Sequence, residues 1–156
     1  MISLKKNNKG FTIVELLIVL IVIGILILLV LTTYSGIQAK SRNVTRQNDI
    51  DAISTQLESF YSQNGYYPSL ADMNSQSWLS ANMKLLNQNT LIDPSNPTDS
   101  KILAGSPTKD EYSYDVSSSN GTSCEKQDTN CAQYTLTAEY EGSVNGSSTY
   151  TKSNLD

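Results

Sequence analysis

Length, composition and charge exclude several functional classes for this chain. It has 156 residues, with 15 acidic and 11 basic side chains and no histidine. An acidic chain lacks the attraction to phosphates that supplies non-specific affinity for nucleic acid, so no direct nucleic-acid binding is expected. Histidine, the commonest general base and zinc ligand, is absent, and no serine lies in a nucleophile-elbow motif. We therefore expect a structural or binding protein rather than an enzyme.

The first predicted element is an apolar helix of membrane length. Residues 11–31 form a run of 21 residues with one charged side chain, Glu15, and a short basic leader precedes the run. The hydrocarbon core of a bilayer is about 30 Å thick and needs roughly 20 helical residues to cross it. An ordinary secretory signal has a shorter apolar region. The run therefore predicts a helix that spans the lipid bilayer.

Glu15 is an ionisable residue within this run. A charged carboxylate at the centre of a bilayer costs on the order of 3 kcal/mol or more, so Glu15 needs a partner or a position near the membrane surface. If the chain is cut after Gly10, the new α-amino group of Phe11 is positively charged at neutral pH. We expect Glu15 to pair with the Phe11 amine of a neighbouring subunit, so that a wrong register leaves a buried charge unpaired. The alternative is a single acid that reaches back to the lipid headgroups.

The order of residues at this junction resembles the class III signal of the type IV pilin and pseudopilin family. That signature is a short basic leader, a glycine, and a Phe-Thr-x-x-Glu segment that opens a long apolar helix. In this chain it consists of Lys5, Lys6, Lys9, Gly10, Phe11, Thr12 and Glu15. The resemblance implies that a prepilin peptidase cleaves after Gly10 and methylates Phe11, and that the chain polymerises on an assembly platform in the membrane. Many family members have a helix-breaking proline where Thr32 stands, and its absence leaves Gly24 as the weak point of the helix.

Charge alone does not decide how the helix is oriented, because three basic residues precede the apolar run and three follow it. Removal of residues 1–10 leaves a chain with a net charge of −7. An acidic, polar body with two cysteines suits an oxidising exterior. We therefore expect the C-terminal body outside the cytoplasmic membrane, and later in an extracellular filament. The basic neck, Lys40, Arg42 and Arg46, is expected to lie inside that filament.

The helix is predicted to continue beyond the apolar run to Asn64. Residues 35–48 look like a polar neck, and an apolar stripe with helical spacing follows. Asn64-Gly65 supplies a left-handed stop, and Pro68 prevents continuation. The segment from Leu57 to Ser69 is also similar to the passage by which many pilins and major pseudopilins leave their long helix. The stripe consists of Ile50, Ile53, Leu57 and either Phe60 or Tyr61.

The remaining chain predicts a short helix and then strands. Apolar residues between Trp78 and Leu86 favour a short helix that includes Met83 and Leu85, and residues after it mark turns. Alternation of apolar and polar residues predicts one strand at 112–116 and another at 134–140. Asn145-Gly146 predicts a hairpin turn into residues 147–152. A small antiparallel sheet against the C-terminal half of the helix is the simplest arrangement.

Two sets of side chains raise the question of a bond or a metal. Cys124 and Cys131 lie in a polar loop, and a disulfide closing it would contribute roughly 2–3 kcal/mol. Zinc is a poor alternative, because a structural site needs four ligands and the chain has no histidine. Calcium would need six to eight oxygens, and no spacing of the late acidic residues matches an ordered calcium loop, so a solvated acidic surface is the favoured interpretation. These acids are Asp110, Glu111, Asp115, Glu125 and Asp128.

Together the elements predict a pilin-like α+β fold with a long N-terminal helix. The expected domains are a removed leader over 1–10, a membrane or filament-core helix over 11–34, its continuation over 35–64, and a globular domain over 65–156. Three functions remain open: a type IV pilus subunit serving adhesion, motility or DNA uptake, a pseudopilin of a secretion or competence system, and a non-polymerising anchored binding protein. Processing separates the third from the others, and filament length separates the first two.

Overall fold

The structure is a computed structural model that describes residues 10–96, 103–124 and 128–154, apart from the side chains of residues 32 and 33. Most of the leader, the second half of the predicted Asn96-Pro97 turn and Glu125 lie outside these ranges. The chain divides into two compact units between Gln38 and Ala39. Its regular elements are α1 (Ile13–Asn64), α2 (Leu70–Met73), α3 (Gln76–Asn82), a 3₁₀ turn (Gln88–Leu91), β1 (Ser113–Ser118), β2 (Cys131–Val144) and β3 (Ser147–Ser153).

Helix α1 has 52 residues, and its C-terminal end is where the sequence predicts it. Gly65 has a φ of +79°, a left-handed conformation that glycine adopts without a steric penalty. The N–H of Gly65 donates to the carbonyl of Tyr61 at 2.7 Å and so satisfies one of the last helical acceptors. At the N-terminal end, α1 begins two residues later than predicted, because Thr12 is the capping residue.

The core lies between the C-terminal half of α1 and one face of a three-stranded sheet. The predicted stripe is confirmed, with Phe60 rather than Tyr61 as its last buried member. Ring contacts extend this core, since Tyr67 stands edge-on to Tyr134 at 4.7 Å between ring centroids. The buried sheet residues that face the stripe are Tyr114, Val116, Tyr134, Leu136 and Ala138.

The sheet is antiparallel throughout and has the order β1-β2-β3. Tyr114 pairs with Leu136, which pairs in turn with Lys152 on the third strand. The predicted hairpin turn is present, with positive φ at both Asn145 (52°) and Gly146 (84°). Two central residues with positive φ define the turn type whose twist matches that of the flanking strands. The fold is therefore the predicted α+β arrangement.

One prediction for the middle segment is wrong in its extent. Helix α3 ends at Asn82, and Met83 follows it as the capping residue with a non-helical conformation. Leu85 does not join the core, because 83% of its surface is exposed. The spacing of apolar residues after Trp78 suggested a longer helix, but only part of that set, including Leu79 and Leu86, packs inward.

Candidate assembly site

The N-terminal half of α1 presents an exposed apolar surface. Every large apolar side chain between Phe11 and Leu31 is between 46% and 86% exposed. In the described part of the chain, α1 is the helix that is long and apolar enough, by length and composition, to cross a membrane. In water this surface would be strongly unfavourable, since full burial of one such side chain contributes about 1.5–3 kcal/mol. The surface therefore requires lipid or protein around it.

Glu15 and Thr12 form a reciprocal cap at the start of this helix. One carboxylate oxygen of Glu15, Oε2, accepts hydrogen bonds from the backbone N–H and from the hydroxyl of Thr12, each at 2.8 Å. The N–H of Glu15 donates to the Thr12 hydroxyl oxygen at 3.2 Å. This is a capping box, in which the first and fourth residues satisfy each other's backbone N–H groups.

The cap gives Glu15 a role within its own chain that the sequence analysis missed. The signal was nonetheless present, because Thr-x-x-Glu before an apolar run is the usual signature of a capping box. Both bonds that the Glu15 carboxylate accepts involve Oε2. Within the described part of the chain, Oε1 accepts no hydrogen bond. The bonds also position the carboxylate within the first turn, close to Phe11 in sequence.

Arg46, expected in a basic neck, is instead buried in the second unit. Only 1% of its side chain is exposed. Its guanidinium donates to both carboxylate oxygens of Asp93, at 2.7 and 2.8 Å, which is a bidentate pair. It also donates to Glu141 at 3.0 Å, and to the side-chain oxygens of Asn43 and Ser95 at 2.8 Å each. These bonds connect α1 to the segment after the 3₁₀ turn and to the end of β2.

The neighbouring neck residues are engaged with the same part of β2. Asn43 mimics a strand partner, because its amide donates to the carbonyl of Glu141 at 3.1 Å and accepts from the N–H of Glu141 at 2.9 Å. Arg42 pairs with the Glu141 carboxylate through two donors and is partly exposed. Lys40 remains exposed. Both arginines therefore neutralise acids of their own chain, and the expectation that this neck lies inside a filament stays a prediction.

Tyrosine hydroxyls connect the sheet to carboxylates along α1. Glu58 accepts from Tyr134 at 2.9 Å and from Tyr67 at 3.1 and 3.2 Å. Tyr112 donates to Asp49 at 2.8 Å. Burial, with a contribution from the nearby Glu58 carboxylate, raises the pKa of Tyr134 to about 12. These hydroxyls therefore stay protonated over the whole physiological range and act as hydrogen-bond donors.

Two carboxylates of this interface have pKa values that are shifted in opposite directions. Burial raises the pKa of the half-buried Asp49 to about 6, and the charge of Asp93 adds to the rise, while the bond from Tyr112 opposes it. The hydrogen bonds from Arg42, together with those from Ser95 and Arg46, lower the pKa of Glu141 to about 2 against the effect of burial. The folded state therefore holds a proton on Asp49 more tightly than the unfolded chain does, and holds one on Glu141 less tightly.

Stability should consequently vary with pH in two windows. The raised pKa of Asp49 contributes stability below pH 4, and this contribution is lost as the pH rises through about 6. The lowered pKa of Glu141 contributes stability above pH 4.5, and this contribution is lost as the pH falls towards 2. Asp49→Asn keeps an acceptor for Tyr112 and removes the buried charge. After a discount for the screening of a half-exposed group, we expect Asp49→Asn to raise the unfolding free energy at pH 7.5 by about 1 kcal/mol.

Urea unfolding of the wild type and Asp49→Asn at pH 4, 6 and 7.5 checks this expectation. The gain should be largest at pH 7.5 and should vanish at pH 4, where the wild-type Asp49 is itself protonated. Asp51→Asn is the control, because Asp51 accepts a similar bond from Tyr150 but its charge is also paired with Lys152 at 3.3 Å. An equal gain at all three pH values would contradict the assignment to Asp49.

Cys124 and Cys131 are joined by a disulfide, with their Cα atoms 5.9 Å apart. Cys131 is buried at the start of β2, and its carbonyl accepts from the N–H of Tyr67 at 2.9 Å. Among the described residues, the two sulfurs and Asp128 form the group of potential metal ligands that lies within 4.8 Å. Sulfurs bonded to each other are not thiolates, so they are poor zinc ligands. The acids considered and not favoured as calcium ligands form no such group within the described ranges, and Asp110 lies 3.9 Å from the guanidinium of Arg46.

Comparison with known proteins agrees with the geometry at the N-terminus. The family described as the prokaryotic N-terminal methylation motif matches residues 5–31. The type IV major pilin protein PilA of Myxococcus xanthus is 34% identical over 66 residues, which cover 42% of this chain and 30% of that protein. The type II secretion system core protein G of Dickeya chrysanthemi is 29% identical over 65 residues, which cover 42% of each chain. No solved structure matches.

The junction at Gly10 and the start of the capped apolar helix lie within the residues that the methylation-motif family matches. The chain carries the N-terminal methylation motif of prepilins, and it is a distant homologue of type IV pilins and type II secretion pseudopilins. The aligned region covers less than half of each of these relatives. The motif and the exposed apolar helix point to a prepilin that inserts into a membrane.

Proposed function

We propose that this protein is a structural subunit of a type IV pilus filament. It is made as a membrane-anchored precursor, cleaved after Gly10, methylated at Phe11 and then assembled through the apolar half of α1. The observation that carries the proposal is the combination of an exposed apolar helix with a capped carboxylate, Glu15, four residues from the new N-terminus. A simple anchor needs the hydrophobicity and at most the helix cap, which a neutral glutamine would also form, so it has no use for the negative charge of Glu15.

The physical case for polymerisation rests on what replaces lipid around the helix. Burial of some eighteen half-exposed side chains contributes on the order of 20 kcal/mol relative to water, but lipid supplies this as well as protein does. The hydrophobic effect therefore keeps the helix out of water without choosing between a bilayer and a filament core. A charge pair between Glu15 and the Phe11 amine of a neighbour would favour the filament core over the bilayer, because it satisfies two charged groups that lipid leaves unpaired.

The partners of the proposed pathway follow from these steps. They are a prepilin peptidase, the lipid bilayer before assembly, an assembly platform in the membrane, and further copies of the subunit in the filament. The acidic second unit would lie outside the cytoplasmic membrane, where the Cys124–Cys131 disulfide is stable.

A pseudopilin is the second candidate, and the match to the secretion core protein G supports it. The proposed chemistry of assembly is the same, so the N-terminus does not distinguish the two. Electron microscopy of cells that express the chain at its natural level does: long surface filaments that contain this subunit would favour the pilin, and their absence with intact processing would favour the pseudopilin. A third candidate, an anchored binding protein that never polymerises, predicts no filament under any level of expression.

Processing is the first test of the proposal. We expect mass spectrometry of the mature protein to find an N-terminus at Phe11 with one added methyl group on its amine. Gly10→Val is the matched variant, because it places a branched side chain at the residue before the cut while leaving Phe11 and Glu15 in place; it should leave the precursor uncut in the membrane. Recovery of an intact Met1 from wild-type cells that contain a prepilin peptidase would contradict the proposal, and so would a start at Gly36.

A further inference from the structure

The chain contains three Asn-Gly dipeptides, at Asn64, Asn120 and Asn145. In such a pair the backbone nitrogen of glycine can attack the side-chain Cγ of asparagine, because glycine has no Cβ to hinder the approach. The new C–N bond closes a succinimide ring, and the side-chain nitrogen leaves as ammonia. Water then opens the ring at either carbonyl and leaves aspartate or isoaspartate. The reaction needs no catalyst, oxidant or cofactor, so the local structure decides which site reacts.

All three asparagines are exposed, so access to water does not separate them. The hydrogen bonds of the reacting atoms do. At Asn64 the attacking nitrogen and the attacked side chain are both hydrogen-bonded to the end of α1. The N–H of Gly65 donates to the carbonyl of Tyr61 at 2.7 Å, and the Asn64 amide donates to the carbonyl of Phe60 at 2.9 Å. Attack at this site would require both bonds to break and the helix end to open.

Asn120 is held in a similar way by its turn. The N–H of Gly121 donates to the carbonyl of Ser118 at 2.9 Å. The side-chain oxygen of Asn120 accepts from the Ser118 hydroxyl at 2.5 Å and from the N–H of Thr122 at 3.3 Å. The attacking nitrogen of Gly121 and the side chain of Asn120 are therefore both hydrogen-bonded to neighbouring groups.

Asn145 differs from the other two. Within the described ranges, the side chain of Asn145 forms no hydrogen bond, and neither does the N–H of Gly146. Asn145 also has a φ of 52°, a conformation that costs a non-glycine residue energy. The turn is closed only by the pairing of Val144 with Ser147 beneath it. We propose that Asn145 is the site of spontaneous deamidation in the native protein, which adds a negative charge at the tip of the β2–β3 hairpin.

The products have different consequences for the hairpin. Aspartate keeps the backbone and tolerates the left-handed conformation of the turn. Isoaspartate inserts a methylene group into the main chain, and a two-residue turn cannot accommodate a longer backbone without a change in its geometry. A population of subunits would therefore acquire hairpin tips that differ in charge and in backbone length as the protein ages.

The test follows the three sites in the full chain, purified in detergent and incubated at mildly alkaline pH. Peptide mass spectrometry measures the gain in mass from amide to acid at each asparagine, and fragmentation distinguishes aspartate from isoaspartate. We expect Asn145 to react roughly tenfold faster than Asn64 or Asn120, which is the factor that one net hydrogen bond supplies. In denaturant the three sites share the same local chemistry, so their rates should converge.

Ser118→Ala is the matched variant, because it removes one bond to the Asn120 side chain and leaves the hairpin untouched. This variant should accelerate deamidation at Asn120 and leave the deamidation rate at Asn145 unchanged. Equal rates at the three sites in native protein would overturn the proposal, and so would a faster reaction at Asn64 or Asn120. A preference for Asn145 that persists unchanged in denaturant would overturn it as well, since the folded structure would then not be the cause.

Discussion

Glu15→Gln should abolish or severely reduce filament assembly while the second unit remains folded. Glutamine retains a side-chain oxygen that can accept from the N–H of Thr12, so the capping box survives. What disappears is the negative charge, which leaves the proposed partner, the Phe11 amine of a neighbouring subunit, buried and unpaired. An uncompensated buried charge costs about 3–5 kcal/mol. Per added subunit that corresponds to a loss of about 10²- to 4 × 10³-fold in affinity, enough to stop growth.

The capping box supplies the control for this experiment. Thr12→Ala removes the hydroxyl that caps Glu15 but keeps the charge, and it should cost about 1 kcal/mol of helix stability with filaments still present. Filaments are counted by electron microscopy, and the folded state of the second unit is followed by its near-UV circular dichroism. If Thr12→Ala abolished filaments and Glu15→Gln did not, the cap would be the functional feature. Normal filaments in both variants would refute the pairing and favour the alternative, in which Glu15 reaches back to the lipid headgroups.

Local signals account for most of what the sequence predicted correctly. Asn64-Gly65 ended α1 and Asn145-Gly146 formed the hairpin because both dipeptides favour the left-handed backbone that these positions need. The buried stripe follows helical spacing, and the strands follow alternation, so each could be identified within about ten residues of sequence. The proposed site residues Gly10, Phe11 and Glu15 also lie together in the chain, so their pattern is local, while cleavage after Gly10 and methylation of Phe11 stay predictions. Their pairing across subunits remains a prediction, because it involves a second copy.

The burial of Arg46 was not predicted because its partners are distant in sequence. Arg46 meets Asp93 and Glu141, which are 47 and 95 residues away, and no spacing rule connects them. A run with three basic residues near a membrane helix normally indicates a solvated or interfacial surface. The extent of α3 was predicted wrongly for a related reason. Whether Leu85 is buried depends on the residues that pack over it, and none of the described residues covers it fully.

Arg46→Met should produce the largest loss of stability among single substitutions in the second unit. Methionine approximates the length of the arginine stem, so the cavity is small, but the guanidinium that satisfies Asp93 and Glu141 is gone. Removal of one partner of a buried ion pair typically costs 3–5 kcal/mol, because the other charge stays buried. This is a large part of the 5–15 kcal/mol by which a typical domain is stable. Urea unfolding of the full chain in detergent, followed by the fluorescence of Trp78, measures the change.

Arg42→Met is the matched control, because Arg42 pairs with the same carboxylate of Glu141 from a partly exposed position. Water can replace an exposed partner, so this variant should lose less than about 1 kcal/mol. Arg46→Lys should fall between the two, since lysine keeps the charge but cannot reproduce the bidentate contact with Asp93. If Arg46→Met proves too unstable to purify, the double variant Arg46→Met with Asp93→Asn should recover stability, because it removes the charge left unpaired. Equal losses for the two methionine variants would show that burial of Arg46 does not determine its contribution.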